Sequence, residues 1–208
     1  MNENTDVASL VERLSALAGA EARVFVAIAG APASGKSTLA ETLRDRIGHA
    51  HPGRVEILPM DGFHYDDAVL RARGTLARKG APHTFDVDGL AAMLDRLAAR
   101  DRPVAVPVFD RTLEISRAAA RIIDPGVRLI LVEGNYLLLD DPDWARLRPR
   151  FDLTVFVDVP PEVLETRLAA RWSALDPEQA QVKIAKNDLP NARLVAGQSV
   201  AADLVLEG

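Results

Sequence analysis

The apolar residues of this chain recur in two different patterns. Val7, Leu10, Val11, Leu14 and Leu17 return every three or four positions, which predicts an amphipathic helix over residues 5–19, with Thr5 or Asp6 placed to cap it. The same spacing links Leu39, Leu43 and Ile47. It links Leu90, Leu94 and Leu97 within residues 87–100, where Asp86 or Asp88 supplies the cap. Other apolar stretches show no such period. Residues 23–29, 55–60, 127–132, 152–158 and 202–206 are short, β-rich and nearly free of polar alternation, the pattern of strands buried on both faces. Residues 103–109 are also strand-like, but their prolines place them at an edge. Pro160 or Pro161 opens a helix through about Ser173, since proline suits a first helical turn, and a shorter helix follows from Pro177 to about Lys186. Residues 66–84, punctuated by arginine and glycine, read as a mobile or irregular segment.

Strands that alternate with helices predict an α/β protein in three layers, with a mostly parallel five-stranded sheet covered by helices on both faces. The sequence shows no internal repeat, low-complexity tract or long linker, so residues 1–208 read as one domain. Composition narrows the function. The net charge of −5 carries no global bias toward nucleic acid or an anionic membrane. The absence of cysteine excludes disulfides, thiolate zinc sites and cysteine nucleophiles, and suits a reducing compartment. His49, His51 and His83 lack ligand-like spacing, so no zinc site is expected. The first residues do not read as a signal peptide, and no apolar run approaches membrane-spanning length. The expectation is a cytoplasmic protein with a small-molecule substrate and no nucleic-acid or membrane partner. Its oligomeric state is left open.

One stretch carries specific chemistry. Gly30-Ala-Pro-Ala-Ser-Gly-Lys-Ser-Thr38 fits the phosphate-loop pattern G-x-x-x-x-G-K-[ST], and it lies between a predicted strand and a predicted helix, the context that pattern requires. The first turn of a helix offers unpaired N–H groups and a positive dipole end, and glycine lets backbone wrap closely around an anion. Gly30, Ala31, Ala33, Ser34, Gly35, Lys36, Ser37 and Thr38 are therefore assigned to the phosphates of ATP. Lys36 brings its charge to the β- and γ-phosphates, and Ser37 offers a hydroxyl to Mg²⁺. In an open parallel sheet, ligands sit at the carboxyl ends of the strands. Two further strands end there in carboxylates, one in Asp61-Gly62 and one in Glu133-Gly134. Asp61 is placed to accept the proton of an alcohol acceptor, and Glu133 to hold Mg²⁺ directly or through water.

The phosphate loop, Asp61-Gly-Phe-His-Tyr65 after the second strand and Glu133-Gly134 after a later one resemble the P-loop kinases of the uridine kinase, phosphoribulokinase and pantothenate kinase group. Within that group the resemblance runs to bacterial proteins named as fructose-transport-system or nucleoside/nucleotide kinase-like kinases. It is carried by "PMDGFHYDD", "ARKGAPHTFDVDGL", "VPVFDR", "LVEGNYLLL" and "NDLPNARLV". The resemblance implies the P-loop nucleotide-binding fold. It implies ATP-dependent phosphorylation of a small-molecule hydroxyl, on a sugar or sugar-like alcohol, with Asp61 as base. It also implies a helical lid, over about residues 160–186, in which Arg167 and Arg171 lie four apart on one face and close over the phosphates. His64, Tyr65, Arg78, Arg111 and Tyr136 are the candidate substrate contacts. The uridine kinases carry Ser-Phe-Tyr after the aspartate where this chain has Gly-Phe-His-Tyr. A nucleoside or pantothenate acceptor, and a nucleotide-binding regulator without turnover, stand as alternatives. A nucleoside-monophosphate kinase would leave Asp61 superfluous, and a GTPase would need an N-K-x-D motif that Lys186-Asn-Asp188 does not fit.

Overall fold

The computed structural model describes residues 3–208. The chain opens with strand β1 (Glu3–Thr5) and helix α1 (Val7–Gly19), whose N-cap is Asp6, its carboxylate accepting from Ser9 N at 2.7 Å. Strand β2 (Val24–Gly30) leads through the phosphate loop into α2 (Lys36–Ala50), and β3 (Val55–Pro59) follows. Residues 66–84 are neither irregular nor extended. They form α3 (Asp67–Ala72), capped by Asp66, and two 3₁₀ turns at Leu76–Arg78 and Pro82–Thr84. Next come α4 (Val87–Ala99), capped by Asp86, then β4 (Val104–Asp110), β5 (Ile115–Ile123), β6 (Leu129–Glu133) and the short α5 (Pro142–Ala145). The last elements are β7 (Leu153–Asp158), α6 (Pro161–Arg171), α7 (Pro177–Lys183), a π-helical stretch Ile184–Asp188, α8 (Leu189–Gln198) and β8 (Leu204–Glu207).

The main sheet is parallel and has six strands in the order β1-β8-β7-β2-β6-β3, one more than the five expected. The extra strand, β1, is three polar residues long and pairs only with β8, so no hydrophobic period announces it. The proline-flanked segment lies outside this sheet. Strand β4 pairs antiparallel with β5, with the register shifting between Val106 and Val108, around Pro107. Strand β5 (ISRAAARII) is mostly solvent-exposed and lacks the apolar alternation that marks a half-buried strand. Helix α8 also went unread, since its Pro190 sits in the first turn of a continuous helical run rather than ending one.

Two cores explain why the central strands show no polar alternation. Val26, Ile28, Leu129 and Leu131 face one layer with Leu10, Leu14, Leu43 and Ile47. Ala27, Ala29, Ile130 and Val132 face the other with Leu90, Leu94, Leu97, Tyr136 and Trp144. Each such leucine stabilises the fold by about 1.5–3 kcal/mol when removed from water. The strands are thus held rigidly, and their carboxyl ends present the phosphate loop, Asp61 and Glu133 to one edge. Among the described residues no helix is long and apolar enough to cross a membrane.

Candidate active site

The phosphate loop begins where β2 ends. A side chain at Gly30 would bring its Cβ to 2.7 Å from Val157 O and 2.9 Å from Ser34 Oγ, so the residue allows the strand and loop to touch. Gly35 has φ +98° and opens α2. Ala33 holds φ +64°, a left-handed conformation that costs a residue with a Cβ energy and that clusters at ligand sites. Lys36 is buried, and its ammonium donates to Ala31 O at 2.8 Å and to Ser34 Oγ at 3.5 Å. Burial lowers its pKa to about 8, although Glu133 and Asp61 pull the other way. Ser37 at the first turn of α2 donates its hydroxyl to Glu133 Oε2 at 3.0 Å. Burial, and then the nearby Asp61 charge, raise the Glu133 carboxyl above its ordinary value.

The two carboxylates have different surroundings. Asp61 follows β3 and accepts from Arg111 Nη2 at 2.9 Å, with about a fifth of its side chain exposed (22%). Burial works to raise its pKa. It is outweighed by the electrostatic pull of His64, then of Arg111, Lys36 and Arg171, so the carboxylate stays ionised below its usual range. Arg111 reaches Asp61 from the β4–β5 hairpin, which approaches closely because residue 62 is glycine. A Cβ there would lie 2.6 Å from Pro107 O.

Around these groups opens a cleft of about 650 Å³. Ala33, Ser34, Gly35, Lys36, Ser37, Thr38, Asp61, Glu133, Arg167, Arg171, His64 and Arg111, all named from the sequence, line it. Arg167 donates to Ser34 O at 3.1 Å. The guanidinium of Arg171 is held below its usual pKa by burial and by Arg111. Gly30 and Ala31 do not line the cleft; they shape the loop, Ala31 through its carbonyl.

Three expected substrate contacts point elsewhere. Tyr65 packs under Arg73, 4.2 Å from its ring centroid. Tyr136 is fully buried against Phe85 and Trp144, and its hydroxyl donates to Gly80 O at 2.5 Å. Arg78 donates to Lys186 O and to Asn191 Oδ1. Tyr136 and Arg78 fix the loop at Lys79-Gly80, which does line the cleft, rather than facing into it.

Other lining residues were not singled out from sequence: Glu114, Trp172, Lys183, Asn187, Asp188 and Asn191. Asn187 Nδ2 donates to Lys79 O at 2.7 Å and Asn191 Nδ2 to Gly80 O at 3.3 Å, so the helical segment around residues 184–191 clamps that loop. Both belong to "NDLPNARLV", and their four-residue spacing was the available signal. Trp172 Nε1 donates to Asp188 Oδ2 at 2.7 Å, and the Lys183 ammonium lies 3.8 Å from the Trp172 ring centroid.

A model of the phosphoribulokinase/uridine kinase family matches residues 25–172. A proposed uridine kinase of Schizosaccharomyces pombe is 35% identical over 89% of this chain and 83% of its own length. A pantothenate kinase of Limosilactobacillus reuteri is 29% identical over 81% of this chain, which spans 57% of that enzyme. The crystal structure of a proposed fructose-transport-system kinase from Silicibacter sp. TM1040 superposes with a TM-score of 0.88 and 38% identity, covering 97% of this chain and 99% of that one.

Proposed function

Since this chain belongs to the phosphoribulokinase/uridine kinase family and is an ATP-dependent small-molecule kinase, we propose that it moves the γ-phosphoryl group of ATP onto a hydroxyl of a sugar or sugar-like alcohol, with Asp61 as general base. The observation that carries this reading is the separation of the two carboxylates. Glu133 is tied to Ser37 beside the phosphate loop, whereas Asp61 is tied to Arg111 and stands open to the cleft.

The donor end fits a triphosphate with Mg²⁺. Lys36 is a buried ammonium that has only neutral oxygens as hydrogen-bond partners, an arrangement that an anion completes. Among the described residues no three acidic or histidine side chains gather into a self-sufficient metal site, which suits a cation that arrives held by phosphate oxygens. Ser37 and Glu133 would hold it, and it would offset phosphate charge. Lys36, Arg167 and Arg171 bring positive charge to the transferring group and cost no reorganisation as its charge spreads. Asp61 takes the acceptor's proton. A loose phosphoryl-transfer transition state makes little demand on the strength of that base, so a carboxylate with a depressed pKa serves.

A nucleoside or pantothenate acceptor would use the same base, and the likeness to the S. pombe and L. reuteri proteins supports that second reading. ATP consumption measured with fructose, other sugars, uridine and pantothenate separates the two. Replacing Asp61 by Asn is expected to cut turnover by about 10²–10⁴-fold with nucleotide affinity unchanged. Full turnover in that variant would remove Asp61 from the role of base.

A further inference from the structure

His64 stands three residues beyond Asp61, and its ring is fixed from several directions. Phe85 and Phe109 pack against it with centroid separations of 4.0 and 4.6 Å. Its Nδ1 lies 2.8 Å from the carbonyl oxygen of Asp61. A carbonyl oxygen can only accept, so Nδ1 carries a proton. Burial, against the opposing pull of Asp61, keeps the imidazole neutral below its usual titration range, and Lys79 and Arg111 add to that effect. In the neutral Nδ1–H tautomer, Nε2 is a lone-pair acceptor and nothing else.

Among the described residues Nε2 has no hydrogen-bond partner; it is not fully buried, and His64 lines the cleft. The nearest cations are committed elsewhere: Lys79 to Asp67 Oδ1 at 2.7 Å and to Glu114 O, and Arg111 to Asp61. The acceptor side of the cleft thus offers a carboxylate for one proton and, beside it, an imidazole acceptor for another.

We propose that His64 is a specificity-determining residue whose Nε2 accepts a hydrogen bond from a second hydroxyl of the phosphate acceptor, so that the substrate is a polyhydroxy compound rather than a lone alcohol. This rests on the reading of Asp61 as the base that takes the first hydroxyl. A molecule presenting a carbonyl, ether or carboxylate at this point would set acceptor against acceptor and bind less well.

The test measures kcat/KM for fructose, ribitol, uridine and pantothenate, each beside an analogue lacking one hydroxyl, with the wild type, His64→Phe and His64→Gln. Phenylalanine keeps the aromatic packing and removes the acceptor, while the glutamine side chain retains one. The Asp61 carbonyl keeps the backbone N–H of His64 as a donor at 3.2 Å in every variant. In the wild type, loss of the second hydroxyl should lower kcat/KM by about 10- to 100-fold. That discrimination should vanish in His64→Phe and persist in His64→Gln. Undiminished discrimination in the phenylalanine variant would overturn the proposal, as would a wild type indifferent to the missing hydroxyl. Asp61→Asn, run in parallel, shows separately whether the base assignment fails. Long-range ¹H–¹⁵N correlation of the imidazole at neutral pH needs no acceptor: an unprotonated Nε2 is expected, and a protonated one would refute the assignment.

Discussion

A lysine ammonium taken out of water loses its hydration, and Lys36 recovers only two hydrogen bonds in the free protein, to Ala31 O and Ser34 Oγ. Its pKa falls to about 8 from an ordinary 10.5, so the unfolded chain binds the proton more tightly than the folded one. The sign of the linkage follows: between those two values stability rises with pH, and at neutral pH the charged group is destabilising. Lys36→Met is therefore expected to stabilise the free protein at pH 7 by about 1–3 kcal/mol in denaturant unfolding while abolishing turnover. The Ala31 carbonyl still accepts from Ser34 N at 3.1 Å in that variant and is not orphaned. In the free enzyme the same proton should give kcat/KM for ATP an alkaline limb near pH 8, where Lys36 loses its charge. On the acid side the depressed pKa of Asp61 keeps this carboxylate, the proposed base, ionised to below the ordinary carboxylate range.

Among the elements, the segment from Ile184 to Gln198 does something that no single residue could. The π-helical insertion at Ile184–Asp188 changes the helical phase ahead of α8, and Asn187, Asp188 and Asn191 all face the cleft. Extra residues of this kind are found at functional sites more often than elsewhere. Asn191 is 2% exposed and links three partners: Gly80 O, Asn187 Oδ1 and the Arg78 guanidinium, each at 3.3 Å. Asn191→Ala leaves those partners short of a bond and is expected to lower stability by about 1–3 kcal/mol. If the clamped loop lines the acceptor side, as the proposed function has it, KM for the acceptor should rise while KM for ATP holds. Steady-state kinetics with each substrate varied in turn checks the split.

At the scale of the whole molecule, the site exists where separate parts meet: the carboxyl ends of β2, β3 and β6, the loop at Lys79-Gly80, the tip of the β4–β5 hairpin, α6 with the helical segment after it, and the end of β8. The hairpin is seated by backbone contact, since Gly62 leaves no room for a side chain against Pro107 O and C at 2.6 and 2.8 Å. Backbone cannot rotate aside as a flexible side chain can. Gly62→Ala should therefore shift the hairpin, loosen the Arg111–Asp61 pair and lower stability by about 1–3 kcal/mol. A fall in both melting temperature and kcat would be the expected outcome; wild-type values for both would show that the hairpin can be moved without consequence.

Much of this was legible in the linear chain, for identifiable reasons. Apolar period determined α1, α2 and α4, and unbroken apolar runs the central strands, because burial on one face or on two leaves its own pattern in the sequence. The phosphate loop was legible because its chemistry needs glycine, lysine and a hydroxyl at fixed local separations. Asp61 and Glu133 could be placed because each stands at the end of a buried strand, Glu133 as the last residue of β6 and Asp61 in the turn that follows β3. Elements whose stability comes from pairing rather than burial left no such trace: the polar β1 and the exposed β5. Helix α8 does bury Ala192 and Val195, but it stands behind a proline. The direction in which a side chain points was likewise decided only in three dimensions. Tyr136 and Arg78 carry groups suited to grip a substrate, yet packing turns both against Gly80 and its neighbours. The single proton on His64 was fixed by the Asp61 carbonyl, a contact set by the 3₁₀ turn Met60–Phe63 and not by residue type. Local chemistry is written in sequence. Which groups converge, and which atom of each faces the cleft, depends on contacts between segments far apart in the chain.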